Sequence, residues 1–171
     1  MSCPNALSAL LAVVIGASTT LTVASPATAA GVFKSIRRAN TGLCLAAESA
    51  SFGAAILQMP CDPNSIAQGW KPEPINGTRY RFVNQLGFCM NLFGPTQNDT
   101  PILLIDCAWV SNEEWNTGRT LPAAAVQIQS RAGFRDTGFC VDVPGGVFTI
   151  GIAVRSWVCN HTGAQLFDIV V

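Results

Sequence analysis

The cysteines are the residues of this chain whose spacing most clearly indicates chemistry. Six of the seven form three pairs with members 17, 18 and 19 residues apart, and an aromatic residue follows each pair. The pairs are Cys44 with Cys61, Cys89 with Cys107, and Cys140 with Cys159, and the aromatics are Trp70, Trp115 and Phe167. Cysteines in such numbers form disulfides or bind zinc, and zinc is the weaker alternative because no Cys-x-x-Cys occurs and only one histidine is present. Several disulfide pairings are possible, but the repeat symmetry favours a bridge within each pair, and no metal site is expected.

Residues suited to acid–base catalysis are few. His161 is the only histidine, and one such residue is poor material for a catalytic triad. Glu113 and Glu114 are adjacent, and because neighbours on a strand point to opposite faces, they cannot flank one glycosidic bond. Phosphate-binding glycine loops and helical metal-binding motifs are absent from the sequence. We therefore predict a protein that is not an enzyme and needs no cofactor.

The first 30 residues are typical of a secretory signal peptide. They contain no Lys, Arg, Asp or Glu, include an apolar run at residues 6–14 and end in small residues at 27–29. The alternative is a helix of the folded domain, and the apolar run is too short to span a membrane. We therefore expect one secreted, extracellular domain at residues 31–171, in a compartment where disulfides persist.

The charges of the chain exclude one class of partner. The ten acidic and ten basic side chains all follow residue 30 and cancel, and no basic stripe is present. Nucleic-acid binding is therefore not expected. Arg37 with Arg38, and Arg79 with Arg81, are interpreted as solvated strand faces or turns.

The remaining sequence predicts an all-β domain that positions these residues. Short β-branched or aromatic runs alternate with turn dipeptides, and no clean helical stripe occurs after residue 30. Three units of similar length, each with four short strands, can close into a barrel without exposed edges. A single unit cannot bury its own aromatic residue, so the three units are expected to share one axial core.

Each unit begins and ends with residues that resemble the repeat of ricin B-type lectins. The openings are Gly-Leu-Cys-Leu at 42–45, Gly-Phe-Cys-Met at 87–90 and Gly-Phe-Cys-Val at 138–141. The ends, Gln-Gly-Trp at 68–70, Glu-Glu-Trp at 113–115 and Gln-Leu-Phe at 165–167, resemble the Gln-x-Trp signature of that family. The resemblance spans residues 33–171. It implies a β-trefoil of three four-stranded repeats, with a disulfide within each repeat and carbohydrate binding as the usual function.

The third repeat best matches the sugar site that this resemblance implies. Asp142 lies two residues after the first cysteine of its pair and Trp157 two residues before the second, where the family has its Asp and its stacking aromatic. A carboxylate accepts hydrogen bonds from adjacent sugar hydroxyls, and an aromatic ring packs on the apolar C–H face of a pyranose. Gln165 is expected to orient this pair, and Gly145 allows the backbone to approach a ligand closely.

Two residues of the third repeat depart from the family pattern. Ala164 replaces an expected Asn, and Arg155 stands where a Gln often contacts the sugar, so it can obstruct a neutral ligand or pair with an acidic one. The other repeats lack the pair and carry Ala46 with Met59, and Asn91 with Ile105. Trp109 is an alternative stacking residue in the second repeat, although an exposed or structural role is favoured.

The sequence therefore predicts a secreted, non-catalytic protein that binds a galactoside-like or other glycan through Asp142, Trp157, Gln165, Arg155 and Gly145. The alternative is a β-trefoil without sugar binding that acts as a protein-interaction module. Such a module would serve as a toxin or adhesion subunit or as a protease inhibitor. The sequence does not determine the oligomeric state.

Overall fold

The computed structural model describes residues 33–169, and the predicted signal peptide lies outside the described residues. These residues form strands and three short 3-10 helices, with no α-helix among them, so the all-β prediction is confirmed. Within residues 33–169, no helix has the length and apolar character needed to cross a membrane.

Fourteen strands lie within residues 33–169. They are β1 (Ile36–Arg38), β2 (Leu43–Ala47), β3 (Ile56–Pro60), β4 (Trp70–Asn76), β5 (Arg79–Asn84), β6 (Phe88–Leu92), β7 (Ile102–Asp106), β8 (Trp115–Asn116), β9 (Ala123–Val126), β10 (Gln129–Ser130), β11 (Phe139–Asp142), β12 (Ile152–Ala153), β13 (Arg155–Val158) and β14 (Phe167–Ile169). The 3-10 helices are Ile66–Gln68, Ser111–Glu113 and Pro144–Gly146.

The strands group into three repeats of four. The first two repeats are β1–β4 and β5–β8, and in the third repeat two of the four strands are interrupted, one into β9 and β10 and the other into β12 and β13. Each repeat has an antiparallel central hairpin, formed by β2 with β3, β6 with β7, and β11 with β13. The first strand pairs with the last, β1 with β14, which closes the fold. The predicted β-trefoil is confirmed.

Each repeat contributes equivalent side chains to one shared core. Three sets of core residues occupy matching positions in the three repeats, and each of their members is at most 2% exposed: Ile36, Phe82 and Ile128; Leu45, Met90 and Val141; Ile56, Ile102 and Val154. The closing aromatics Trp70, Trp115 and Phe167 are fully buried among them. The two indoles also donate hydrogen bonds to the backbone, of 2.9 Å to the Leu45 oxygen and 3.0 Å to the Met90 oxygen.

Three disulfides lie within the repeats, as the repeat symmetry and the family resemblance predict. They join Cys44 to Cys61, Cys89 to Cys107 and Cys140 to Cys159, with Cα–Cα distances of 4.9, 5.1 and 5.1 Å. Each bridge ties the start of a central hairpin to the residue that follows its end. In the chain-entropy model a closed loop of this length stabilises the fold by about 3 kcal/mol. The bridges therefore fix the hairpin register, on which the positions of the candidate site residues depend.

Candidate functional site

An open cavity of about 460 Å³ lies at the central hairpin of the third repeat. Four of the five predicted site residues line it: Asp142, Gly145, Arg155 and Trp157. Asp142 pairs directly with Arg155 across the hairpin, and Cys140 pairs with Trp157. Residues directly opposite each other, and residues two apart on one strand, share a face of the sheet, so the hairpin presents all three side chains on one side.

Asp142 is a buried carboxylate at the base of this cavity. It is 4% exposed, and its two oxygens accept hydrogen bonds from the Gln165 side-chain amide at 3.1 Å and from the Arg155 Nε at 3.4 Å. Burial raises the pKa of Asp142, while these two hydrogen bonds and the charges of Arg155 and Arg38 oppose the rise. The ionised form is therefore less favourable here than in water.

Gln165 lies behind Asp142 and outside the cavity wall. Its side chain is fully buried, and besides Asp142 its Nε2 donates to the Val158 oxygen at 2.9 Å. Its Oε1 accepts from the Gln127 side chain and from the Asn160 backbone, both at 2.9 Å. All the polar atoms of this amide are thus used within the protein. Gln165 is placed to position Asp142, and it has no surface through which to contact a ligand.

The guanidinium of Arg155 lies over the ring of Trp157. Its guanidinium carbon lies 4.1 Å from the centroid of the Trp157 ring, and Trp157 itself is half-buried. The Nη1 of Arg155 also pairs with the carboxylate of Asp99, which comes from the loop between β6 and β7 in the second repeat. The structure therefore brings Asp142, Arg155 and Trp157 into one contact network and adds Asp99.

Arg38 lines this cavity, although the sequence predicts a solvated position for it. It is 4% exposed, so the prediction of a solvated arginine is wrong for this position. Its guanidinium donates to the backbone oxygens of Gly146 and Val147, each at 2.7 Å, and its carbon lies 4.9 Å from the Phe148 ring. Arg38 lies two residues after the buried Ile36, and strand alternation places both on the inner face. This alternation is the sequence pattern that would have predicted a buried Arg38.

A tight turn closes the cavity next to Arg38. Gly145 and Gly146 have φ angles of 64° and 61°, a left-handed conformation that glycine adopts at little cost. This turn directs the Gly146 oxygen onto Arg38. Gly145 therefore lies in the lining of the cavity. Ala164, at the position of the expected Asn, presents only its methyl group to the cavity lining.

Arg81 was also predicted to be solvated, and that prediction is wrong as well. It is 7% exposed, forms an ion pair with Glu73, and its guanidinium carbon lies 3.4 Å from the centroid of the Trp109 ring. Trp109 is 64% exposed and covers this buried cation, in agreement with an exposed or structural role.

The first two repeats keep the scaffold and lack an equivalent charged site. Ala46 and Asn91 occupy the position of Asp142, and both are buried. Asn91 accepts a hydrogen bond of 3.0 Å from the Asn112 side chain, so a neutral pair takes the place of the carboxylate and its partners. Within residues 33–169, no group of three or more His, Cys, Asp or Glu side chains is arranged to hold a metal ion.

Comparison with solved structures identifies the same fold. No family model and no curated protein sequence matches the chain. The designed three-fold symmetric protein ThreeFoil matches with a TM-score of 0.71 at 17% identity, over 81% of this chain and 98% of ThreeFoil. The Polyporus squamosus lectin, solved with an influenza-binding epitope bound, matches with a TM-score of 0.62 at 19% identity, over 80% of this chain and 47% of the lectin. The cytolethal distending toxin of Actinobacillus actinomycetemcomitans matches with a TM-score of 0.63 at 22% identity, over 81% of this chain and 90% of the toxin chain.

These matches define the class of fold. It is a β-trefoil, and the matched chains with this fold include lectins and a toxin chain. The chain spans less than half of several matched proteins, including 30% of an exo-β-1,3-galactanase from Clostridium thermocellum. The identities are low, so the likeness extends to the fold and leaves the ligand to be argued from the site.

Proposed function

We infer that this protein binds carbohydrate without catalysis, through the cavity of the third repeat. The observation that carries the proposal is the buried, ionisable Asp142 beside Trp157 in one open cavity. The matching positions of the other repeats hold neutral residues, Ala46 with Met59 and Asn91 with Ile105. Lectins with the same fold, among them the Polyporus squamosus lectin solved with a glycan epitope bound, support this reading.

Each residue has a distinct part in this proposal. Asp142 accepts hydrogen bonds from ligand hydroxyls, and its charge makes these bonds stronger than neutral ones. Trp157 supplies apolar area with few rotamers to restrict. Gln165 positions Asp142, Gly145 keeps the cavity open at the turn, and Arg155 governs access to both ligand-binding groups. Three disulfides suit an oxidising compartment, so we further propose that the protein is secreted.

A protein-interaction module is the second candidate function. Two observations favour it: Arg155 already occupies the face of Trp157, and a cytolethal distending toxin chain shares the fold. In this alternative, Asp142 and Arg155 form a structural ion pair that no ligand opens. The two functions differ in whether any glycan is bound at the cavity.

Screening a glycan array with the wild-type protein and Trp157→Ala distinguishes them. We expect the wild type to give reproducible signals and Trp157→Ala to weaken them at least about tenfold, because the stacking surface is lost. Trp109→Ala is the matched control, since Trp109 is an exposed tryptophan in another repeat. It should bind as the wild type does.

Two results would contradict the proposed site. One is binding by Trp157→Ala at wild-type strength, which would place any sugar site elsewhere. The other is an array without signal for the wild type, which would favour the protein-interaction module. Thermal melts of all three proteins exclude misfolding as the cause of a loss.

A further inference from the structure

The guanidinium of Arg155 lies on both groups that the proposed sugar site depends on. Its carbon is 4.1 Å from the centroid of the Trp157 ring, and its Nε is 3.4 Å from Oδ1 of Asp142. A neutral sugar that stacks on Trp157 must first move this guanidinium away. That movement breaks the cation–π contact with Trp157 and the charge-assisted hydrogen bond to Asp142. The arrangement therefore disfavours a neutral pyranose.

The Nη1 group of the same guanidinium pairs with Asp99, a partner that an anionic group on a ligand can replace. Nη1 of Arg155 pairs with Asp99, whose side chain is 63% exposed on a loop of another repeat. Exposed ion pairs contribute little to stability, because water screens the charges and ordering the side chains costs entropy. A carboxylate or sulfate on a ligand can therefore take the position of Asp99. Arg155 then keeps an anionic partner when the sugar ring displaces its guanidinium from the face of Trp157, which a neutral sugar does not provide.

The other charged residues around the cavity also favour an anion. Arg38 supplies a second guanidinium, and the backbone oxygens of Gly146 and Val147 that it contacts carry no net charge. Asp142 is the one carboxylate among the described residues that line this cavity. When Asp99 moves out, two guanidinium groups face a single carboxylate. The cavity then has a net positive charge, and partial burial strengthens its attraction for an anion.

We propose that the third-repeat cavity selects saccharides that carry a negatively charged group, a carboxylate or a sulfate, which replaces Asp99 as the partner of Arg155. The proposal rests on the inferred carbohydrate binding and names the ligand class of the same site. Asn160 and Thr162, at the exposed rim of the cavity, supply polar groups for the neutral hydroxyls of such a ligand.

The test uses a glycan array with matched sets, in which each neutral oligosaccharide is printed beside its uronate-bearing and its sulfate-bearing counterpart. The wild type should bind at least one charged member about tenfold more tightly than the neutral one. The separate carboxylate and sulfate members show which source of charge is preferred.

Two variants assign this preference to the Arg155–Asp99 pair. Arg155→Gln should lose the tenfold preference, because the guanidinium that holds the anion is gone. Asp99→Asn removes the competing carboxylate and should raise the affinity for the charged glycan by about two- to fivefold. Asp99→Asn also keeps the test valid if Arg155→Gln folds poorly, because Asp99 is exposed and its loss leaves Arg155 in contact with Asp142.

The outcomes separate this proposal from the function on which it rests. Equal binding of neutral and charged members by the wild type, with both lost in Trp157→Ala, would overturn the charge selection and leave carbohydrate binding intact. A charge preference that persists unchanged in both Arg155→Gln and Asp99→Asn would also overturn it. No binding of any member by the wild type or by either variant would overturn the proposed function, and the charge selection with it.

Discussion

Asp142→Asn is expected to reduce glycan binding by about 10- to 100-fold while changing the free energy of unfolding by less than about 1 kcal/mol. The amide keeps the shape of the side chain but loses the charge that strengthens hydrogen bonds from ligand hydroxyls, and bonds to charged groups contribute about 1.5–3 kcal/mol each. Asn91 occupies the equivalent buried position in the second repeat, so the matching hairpin there accommodates an amide side chain.

The raised pKa of Asp142 bears on the free energy of unfolding of this variant. Because burial raises the pKa, the folded protein holds the Asp142 proton to a higher pH than the unfolded chain does. The carboxyl therefore lowers the free energy of unfolding as the pH rises from the unfolded pKa through the folded one. Asp142→Asn removes this pH-dependent loss of unfolding free energy. The amide Nδ2 would in turn face a donor where the carboxylate accepts hydrogen bonds from Gln165 and Arg155, and these two effects oppose each other. At neutral pH the variant should therefore lie within about 1 kcal/mol of the wild type.

The measurement pairs calorimetric titration of an array-positive glycan with urea unfolding at several pH values. The difference in unfolding free energy between Asp142→Asn and wild type isolates Asp142 from the other carboxylates. Asp106→Asn is the control, because Asp106 is an exposed carboxylate at the end of β7. A variant that keeps full affinity, or one that is less stable by more than about 1 kcal/mol at neutral pH, would contradict this reading of Asp142.

Trp115→Ala should lower the free energy of unfolding by about 4 kcal/mol. The indole is fully buried in the shared core, and its Nε1 donates to the Met90 oxygen at 3.0 Å. Truncation leaves both a cavity and a buried backbone oxygen without its donor, and these two costs add. Since domains are stable by about 5–15 kcal/mol, the variant should be only marginally folded.

Urea or thermal unfolding measures this loss directly. Trp109→Ala provides the comparison, since the same substitution at a 64% exposed tryptophan should cost less than about 1 kcal/mol. Losses of similar size at the two positions would contradict the assignment of Trp115 to the core.

The fold could be predicted because the same pattern occurs three times. Each cysteine pair brackets one central hairpin, and each closing aromatic lies at the shared core, so three copies supported one interpretation. The same spacing made part of the site predictable. Asp142 and Trp157 are both two residues from a bridged cysteine, and the bridge fixes the register that places them on one face.

Other parts of the site depend on contacts that spacing does not encode. Arg38 reaches the cavity because β1 lies beside the third repeat, and Asp99 because a loop of the second repeat approaches β13. Sequence position relative to the cysteines gives no information about either approach. The stacking of Arg155 on Trp157 is a choice between side-chain rotamers, which the sequence leaves open.

The location of a bound glycan is the most direct test of the central claim. The chain has four tryptophans, so a two-dimensional ¹H–¹⁵N spectrum of the folded domain contains four indole N–H signals, which Trp→Phe variants assign. Adding an array-positive glycan should shift the Trp157 signal in proportion to occupancy. The signals of Trp70 and Trp115 in the core and of exposed Trp109 should remain in place. A shift at Trp109 with none at Trp157 would contradict a binding site in the third repeat.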